Sequence, residues 1–113
     1  MLSKHNLFFL VFLFVCYSLK AQQSPAEILS GKIANRMKDS LSLSNVQCDS
    51  IYAINMRLHY WKMALRQQYS SPDSLRYKMQ RVEITRDSLY FPVLGSDKFP
   101  LYQAKKRNLV NNN

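Results

Sequence analysis

The sequence predicts an all-α protein, built as an antiparallel helical hairpin with a long central helix and about four helices in total. Three observations support this prediction. Apolar residues recur every three or four positions, the spacing that places side chains on one side of an α-helix. Residues 44–69 contain neither Gly nor Pro, and the whole chain has only two Gly. The chain also lacks the regular alternation of apolar and polar residues that is typical of half-buried strands.

Residues 1–21 are expected to be a signal peptide and are set apart from the fold. Lys4 and His5 precede a 13-residue apolar run at 7–19, which is shorter than the roughly 20 residues of a membrane-spanning helix. Ala21 supplies a small residue before the expected cleavage, and an uncleaved anchor is the alternative. We therefore expect residues 22–113 to form one small domain that is periplasmic or secreted.

The chain is strongly basic, with 16 Lys and Arg against seven Asp and Glu. Without Lys4 and Lys20, 14 basic residues remain against the seven acidic ones, a net charge of +7. These residues are scattered along the chain, and the expected export argues against nucleic acid as a partner. They indicate either solvated helix faces or a positive surface that attracts acidic proteins or makes peripheral contact with anionic lipid.

Cys48 is the only cysteine in residues 22–113, so no disulfide can form within that part of the chain. A buried thiol and a bridge between two chains are both open interpretations.

The first helix is predicted over residues 25–39. Ser24 suits the N-cap position, Pro25 suits the first helical position, and Glu27 is spaced to complete a capping box with Ser24.

The central helix is predicted over residues 45–69. Ser44 is its expected N-cap, and Gln47 is placed to reach back to the cap backbone. One seam of apolar residues follows the 3-4 spacing and is expected to pack against other helices: Ile51, Ile54, Leu58, Trp61 and Leu65.

The third helix is predicted from Pro72, capped by Ser71, to residue 89 or 90. Arg86 interrupts its otherwise apolar inner side of Leu75, Met79, Val82 and Leu89. Residues 91–95 contain Pro and Gly and are expected to break the helix, and a last short helix is predicted over residues 97–109.

Residues 43–47 read Leu-Ser-Asn-Val-Gln and are followed by a long amphipathic helix. This pattern resembles the LTxxQ motif of the Spy/CpxP family of small exported helical proteins, with Ser44 in place of Thr and the capping hydroxyl kept. Leu43, Ser44 and Gln47 match the motif. A second copy would fall at residues 94–98, where both the hydroxyl and the Gln are missing. The resemblance spans residues 37–109.

The resemblance implies a curved helical hairpin, often dimeric, whose concave basic face carries apolar residues and holds unfolded envelope proteins. The expected function is therefore that of an envelope chaperone or stress-response accessory protein. Charged, aromatic and flexible side chains on the central helix suit such a client-binding site: Met56, Arg57, Tyr60, Met63 and Arg66. The alternative is that Met56, Tyr60 and Met63 are core or dimer contacts.

Two other functions are weighed. A structural or interaction protein could form a helical dimer through the wide apolar face of the central helix. A metal-responsive sensor could use Cys48, Met56, His59 and Met63, although tight sites usually need three or four ligands and these soft ligands are sparse.

An enzyme is not expected, and neither a cofactor nor a metal site is predicted. His59 is the only His after residue 21 and has no Asp or Glu close to it in sequence, while two Gly are too few for a phosphate-binding loop.

Overall fold

The structure is a computed structural model that describes residues 22–111. It contains three helices: α1 (Pro25–Leu41), α2 (Asn45–Gln68) and α3 (Pro72–Leu109). The all-α prediction is confirmed for this part of the chain, and the predicted signal peptide lies outside it. None of the described helices is both long enough and apolar enough to cross a bilayer.

The start of α1 follows the predicted cap with one difference. The Ser24 hydroxyl accepts a hydrogen bond from the Glu27 backbone N–H at 3.2 Å and is 3.1 Å from the Glu27 carboxylate. The difference from the predicted capping box is that the Glu27 carboxylate contacts the Ser24 hydroxyl instead of the Ser24 backbone N–H. The helix runs two residues past the predicted end at residue 39, and Ser42 ends it in a left-handed conformation with φ of 55°.

The bounds predicted for α2 agree with the structure to within one residue, because its N-cap has the predicted form. The Gln47 backbone N–H donates to the Ser44 hydroxyl at 3.1 Å, and the Ser44 backbone N–H donates to the Gln47 side chain at 2.9 Å. These two bonds satisfy donors that the first helical turn would leave without partners.

The structure has three helices where about four were predicted, because α3 continues through Pro92 and joins the last two predicted helices in one element. Pro removes one helical hydrogen bond, but Leu94 is buried just beyond it, and packing stabilises the helix past the Pro. The break falls at Gly95, whose φ of 77° and ψ of 174° are not helical.

The chain folds back on itself at Gly95. Phe91 packs edge-on against Phe99, with ring centroids 5.1 Å apart, and the Asp87 carboxylate accepts a hydrogen bond from Lys106 at 2.9 Å. These pairs are spaced almost evenly about Gly95. The outgoing segment (residues 72–94) and the return segment (residues 96–109) of α3 are therefore antiparallel, and the return segment is the helix predicted over 97–109.

The outgoing segment of α3 also runs antiparallel to α2. Lys62 pairs with Glu83 at 2.6 Å, and the Gln47 side chain donates to the Val93 carbonyl at 3.0 Å. Residues early in α2 therefore contact residues late in the outgoing segment, and residues late in α2 contact residues early in it.

A second layer, made of α1 and the return segment, covers part of this pair. The Asn55 amide of α2 donates to the Ser30 carbonyl of α1 at 3.1 Å, and Arg36 of α1 donates to the Leu109 carbonyl of the return segment at 3.2 Å. Residues of both layers form the larger core cluster, which includes Met37, Ile51, Tyr90, Tyr102 and Leu109.

The seam predicted for α2 is correct at Ile51, Leu58 and Leu65, which are buried, and Ile54 is partly buried. The prediction is wrong for Trp61, which is 38% exposed. Asn55, which was not part of the predicted seam, is 3% exposed and lies in the core. The buried side of α2 turns toward Asn55 because the second layer lies on that side, which leaves Trp61 on the opposite flank.

Candidate functional site

The far ends of α2 and α3 project beyond the second layer as a two-helix arm, here defined as residues 60–80. The start of α1 reaches only as far as Met63, where Pro25 lines a shared cleft with it. The return segment reaches the level of Glu83, from which Lys106 is 3.9 Å away. Past these levels the packed side chains come from α2 and α3 alone and belong to the smaller core cluster: Leu65, Tyr69, Leu75 and Met79.

Large apolar side chains are exposed on the arm. Tyr60 is 53% exposed, Met63 is 42% exposed and Tyr77 is 58% exposed, in addition to Trp61. Single exposed apolar residues are ordinary, whereas several gathered on one projecting element are typical of a binding surface.

The arm and its flanks are also strongly basic. Residues 57–81 contain six Lys and Arg and one acidic residue. Lys62 is paired with Glu83, and the Lys78 ammonium lies 5.4 Å from the centre of the Tyr69 ring. The arginines form no salt bridge with any residue in the described part of the chain, so their charge is unbalanced: Arg57, Arg66, Arg76 and Arg81.

The predicted client-binding residues lie on two stripes of α2. Met56, Tyr60 and Met63 follow one another at i, i+4 and i+7, and Arg66 is three residues past Met63, so these four share one side of the helix. Arg57 lies on the other flank with Trp61.

Met56 is partly buried, whereas the other four predicted client-binding residues are exposed. The core alternative is therefore wrong for Tyr60 and Met63, and their use in dimer contacts is a separate alternative.

A groove at the base of the arm was missed by the sequence reasoning. It is open, with a volume of ≈500 Å³, and its lining mixes apolar, basic and acidic side chains: Lys62, Arg76, Met79, Gln80, Glu83, Ile84, Asp87 and Lys106. Lys106 comes from the return segment, more than 20 residues further along the chain, and no local pattern brings it together with Arg76.

A buried polar network holds the base of the arm in place. Arg86 is 4% exposed, and its Nε donates to the Glu83 carboxylate at 2.9 Å. Its Nη1 donates to the Asn55 amide oxygen at 3.1 Å and to the Tyr90 hydroxyl at 3.0 Å, and that hydroxyl donates to the same Asn55 oxygen. The network therefore joins α2 to the outgoing segment in the middle of the fold.

Asp87 extends this connection to the return segment, since it accepts hydrogen bonds from the Tyr102 hydroxyl at 2.8 Å and from Lys106 at 2.9 Å. Burial and the neighbouring Asp87 carboxylate raise the pKa of Tyr102, so this hydroxyl stays protonated and donates. For Glu83, burial alone would raise the pKa, but the charges of Arg86 and Lys62 and their hydrogen bonds outweigh it and lower the pKa below 4.5. Glu83 is thus an anion at neutral pH.

The motif residues lie at the end of the molecule opposite the arm. Leu43 is buried, Ser44 and Gln47 form the cap, and Gln47 is also bonded to Val93, two residues before Gly95. Lys98 donates to the Ser42 carbonyl at 2.7 Å across the same end. Residues 43–47 and 94–98 therefore lie side by side at two chain reversals, and these contacts give Ser44 and Gln47 a structural role.

The four soft side chains considered as metal ligands are not brought together. Cys48 is buried, and its thiol donates to the Ala34 carbonyl at 3.6 Å. It is 11 residues from His59 along α2, an axial distance of about 16 Å. Within residues 22–111, His, Cys, Asp and Glu side chains do not gather in a group of three or more that could hold a metal ion.

The fold and this surface define an all-α protein with a two-layered helical body and a projecting arm that is both basic and apolar. Comparison with protein-family models, curated proteins and solved structures finds no match to the chain.

Proposed function

We propose that the protein is an exported envelope chaperone or stress-response accessory protein that holds unfolded or partner proteins on its arm. The observation that carries this proposal is the exposure of Tyr60, Met63 and Arg66 on one side of α2, where the second layer ends. The resemblance of residues 43–47 to the Spy/CpxP motif and the hairpin formed by α2 and α3 support the same function.

The chemistry of the arm suits weak binding of many different chains. Met63 is flexible and Tyr60 is amphipathic, so both adapt to varied apolar segments. Arg66 and Arg76 add a positive field that speeds the capture of acidic segments, and this field weakens with salt because exposed charges are screened over about 8 Å at physiological ionic strength.

The test is suppression of aggregation of an acidic, chemically unfolded client at low salt and at physiological salt. The double variant Tyr60→Ser, Met63→Ser is expected to lose most of the suppression. Its matched control is Ile28→Ser, Val46→Ser, which removes two exposed apolar side chains, 54% and 75% exposed, from the body. Absence of suppression by the unaltered protein at several-fold molar excess, or an equal loss in both double variants, would contradict the proposal.

A helical dimer is the second candidate function, favoured by Trp61 and Tyr77, which are exposed on the arm and available to a second copy. Analytical ultracentrifugation of the unaltered protein and of Trp61→Ser distinguishes the two. A dimer that dissociates in the variant while client binding persists would assign Trp61 to dimer contacts. A strict monomer at all concentrations would remove this candidate.

A further inference from the structure

A partly enclosed cavity of ≈90 Å³ lies where α1, α2 and α3 meet, between the body and the base of the arm. Its polar wall contains Asn55, His59 and Lys62 of α2 and Arg86 of α3. Its apolar wall is formed by Leu29, Ile33 and Val110, and Ser30 and Asn111 complete the lining. We infer that this cavity binds a small monocarboxylate, with the carboxylate facing Lys62 and Arg86 and a short apolar chain on the opposite wall.

The polar wall has more hydrogen-bond donors than the protein itself uses. Arg86 has five N–H donors and makes four hydrogen bonds in the described part of the chain, of which the one from Nη2 to Glu83 is the longest at 3.5 Å. Lys62 uses one of its three donors, at 2.6 Å from Glu83. Asn55 gives one of its two amide N–H groups to the Ser30 carbonyl.

The two acceptors of the buried network, the Asn55 amide oxygen and the Glu83 carboxylate, already accept hydrogen bonds within the protein. The Asn55 amide oxygen accepts from both Arg86 and Tyr90. Glu83 accepts from Lys62 and Arg86, and it does not line the cavity. Lys62, Arg86 and Asn55 therefore keep N–H donors that an acceptor from outside the chain can use.

The charge of the lining selects an anion. Lys62 and Arg86 give it two formal positive charges, and no acidic side chain lines it. Arg86 is almost fully buried, and charge-assisted hydrogen bonds are stronger where water is excluded. A planar carboxylate can accept from a guanidinium and an ammonium at once.

The size and the apolar wall narrow the ligand further. A dry cavity of about 150 Å³ holds the six heavy atoms of benzene, so ≈90 Å³ encloses about four heavy atoms. The cavity is only partly enclosed, so a ligand of up to about six heavy atoms extends through its open side. Leu29, Ile33 and Val110 offer no hydrogen-bonding side chain, which disfavours a fully hydrated oxyanion such as phosphate. This inference does not depend on the proposed function, because Tyr60, Met63 and Arg66, which carry that function, do not line the cavity.

The test is a titration of the purified protein with butyrate, acetate and inorganic phosphate at constant ionic strength, followed by ¹H–¹⁵N NMR. We expect saturable shifts around Asn55, Lys62 and Val110, with butyrate bound about fivefold more tightly than acetate because its two extra methylene groups contact the apolar wall. Shifts that do not saturate, that chloride reproduces, or that phosphate produces at the same concentrations would overturn the inference.

Three variants separate a built site from general charge attraction. Lys62→Met is expected to weaken butyrate binding about tenfold, whereas Lys32→Met, which removes an exposed lysine on α1, is expected to leave it unchanged. Leu29→Phe keeps every charge and narrows the cavity, so it should weaken butyrate binding more than acetate binding. Equal effects of Lys62→Met and Lys32→Met, or unchanged butyrate binding in Leu29→Phe, would refute the site.

Discussion

Glu83→Gln is the substitution that most directly tests the buried network. Glutamine keeps the size of the side chain and one oxygen acceptor, but it removes the negative charge. Arg86, 4% exposed, would then lose its carboxylate partner, and Lys62 would lose its only salt bridge in the described part of the chain. A cation enclosed in the fold without an anion is unfavourable, so the free energy of unfolding should fall.

The size of this effect follows from the burial of the two partners. Removing one partner of a fully buried ion pair costs about 3–5 kcal/mol, whereas a surface pair contributes about 0–1 kcal/mol. The Glu83 side chain is 26% exposed and the Arg86 side chain is 5% exposed, which places this pair between the two cases. We expect a loss of about 2 kcal/mol at pH 7, or a drop in Tm of about 8–16 °C for a domain of this size.

The loss of stability in Glu83→Gln should depend on pH. Because the folded pKa of Glu83 is lowered from 4.5, its contribution to stability is present above pH 4.5 and is lost as pH falls through the folded pKa. The difference between the unaltered protein and Glu83→Gln should therefore be largest at neutral pH and shrink in acid.

Urea unfolding followed by circular dichroism at several pH values measures this difference. Asp39→Asn is the matched control, because it removes an exposed carboxylate of α1 and should change stability by less than about 0.5 kcal/mol. The reasoning would be refuted if the two variants had equal stability at pH 7, or if the deficit of Glu83→Gln were as large in acid as at neutral pH.

Three further predictions follow from the backbone and the core. Ser44→Ala should lower the free energy of unfolding by about 1 kcal/mol because it removes the cap bond of α2. Ser71→Ala should change it by less than about 0.5 kcal/mol in the same urea experiment, since the Ser71 side chain makes no cap bond; equal losses would contradict the role of the cap. Gly95→Ala should lower Tm through backbone strain, at about 1–3 kcal/mol, because φ of 77° with ψ of 174° is almost confined to Gly and no atom outside the neighbouring backbone lies within 4 Å of an added methyl group. Cys48, 9% exposed, should react with a thiol reagent far more slowly in the folded protein than in urea, and similar rates would show that its burial is not maintained in solution.

Local patterns predicted the ends of the helices better than their count. Ser44 and Gln47 lie within four residues of each other, so their cap was readable from the chain, and α2 has almost the predicted bounds. The continuation of α3 through Pro92 was not readable in this way. It depends on the burial of Leu94 among residues of α1 and α2, which are distant in sequence.

The site was only partly predictable for the same reason. Tyr60 and Met63 lie outside the predicted apolar seam and were predicted as client-binding residues. The structure places both on the exposed arm. Arg86 looked like an interruption in an apolar stripe, and its partner Asn55 is 31 residues away. The interruption at Arg86 was the available indication, because Asn55 lies outside the seam predicted for α2. Only the antiparallel register of α2 and α3 brings the two residues together.

The bond between Arg36 and the last turn of α3 has a consequence for the timing of folding. Arg36 Nη1 donates to the carbonyls of Asn108 and Leu109, 72 and 73 residues further along the chain. During synthesis, α1 and α2 can pair early, but α1 lacks this partner until residue 109 has emerged from the ribosome. The closed body therefore forms only after the last turn of α3 has been synthesised.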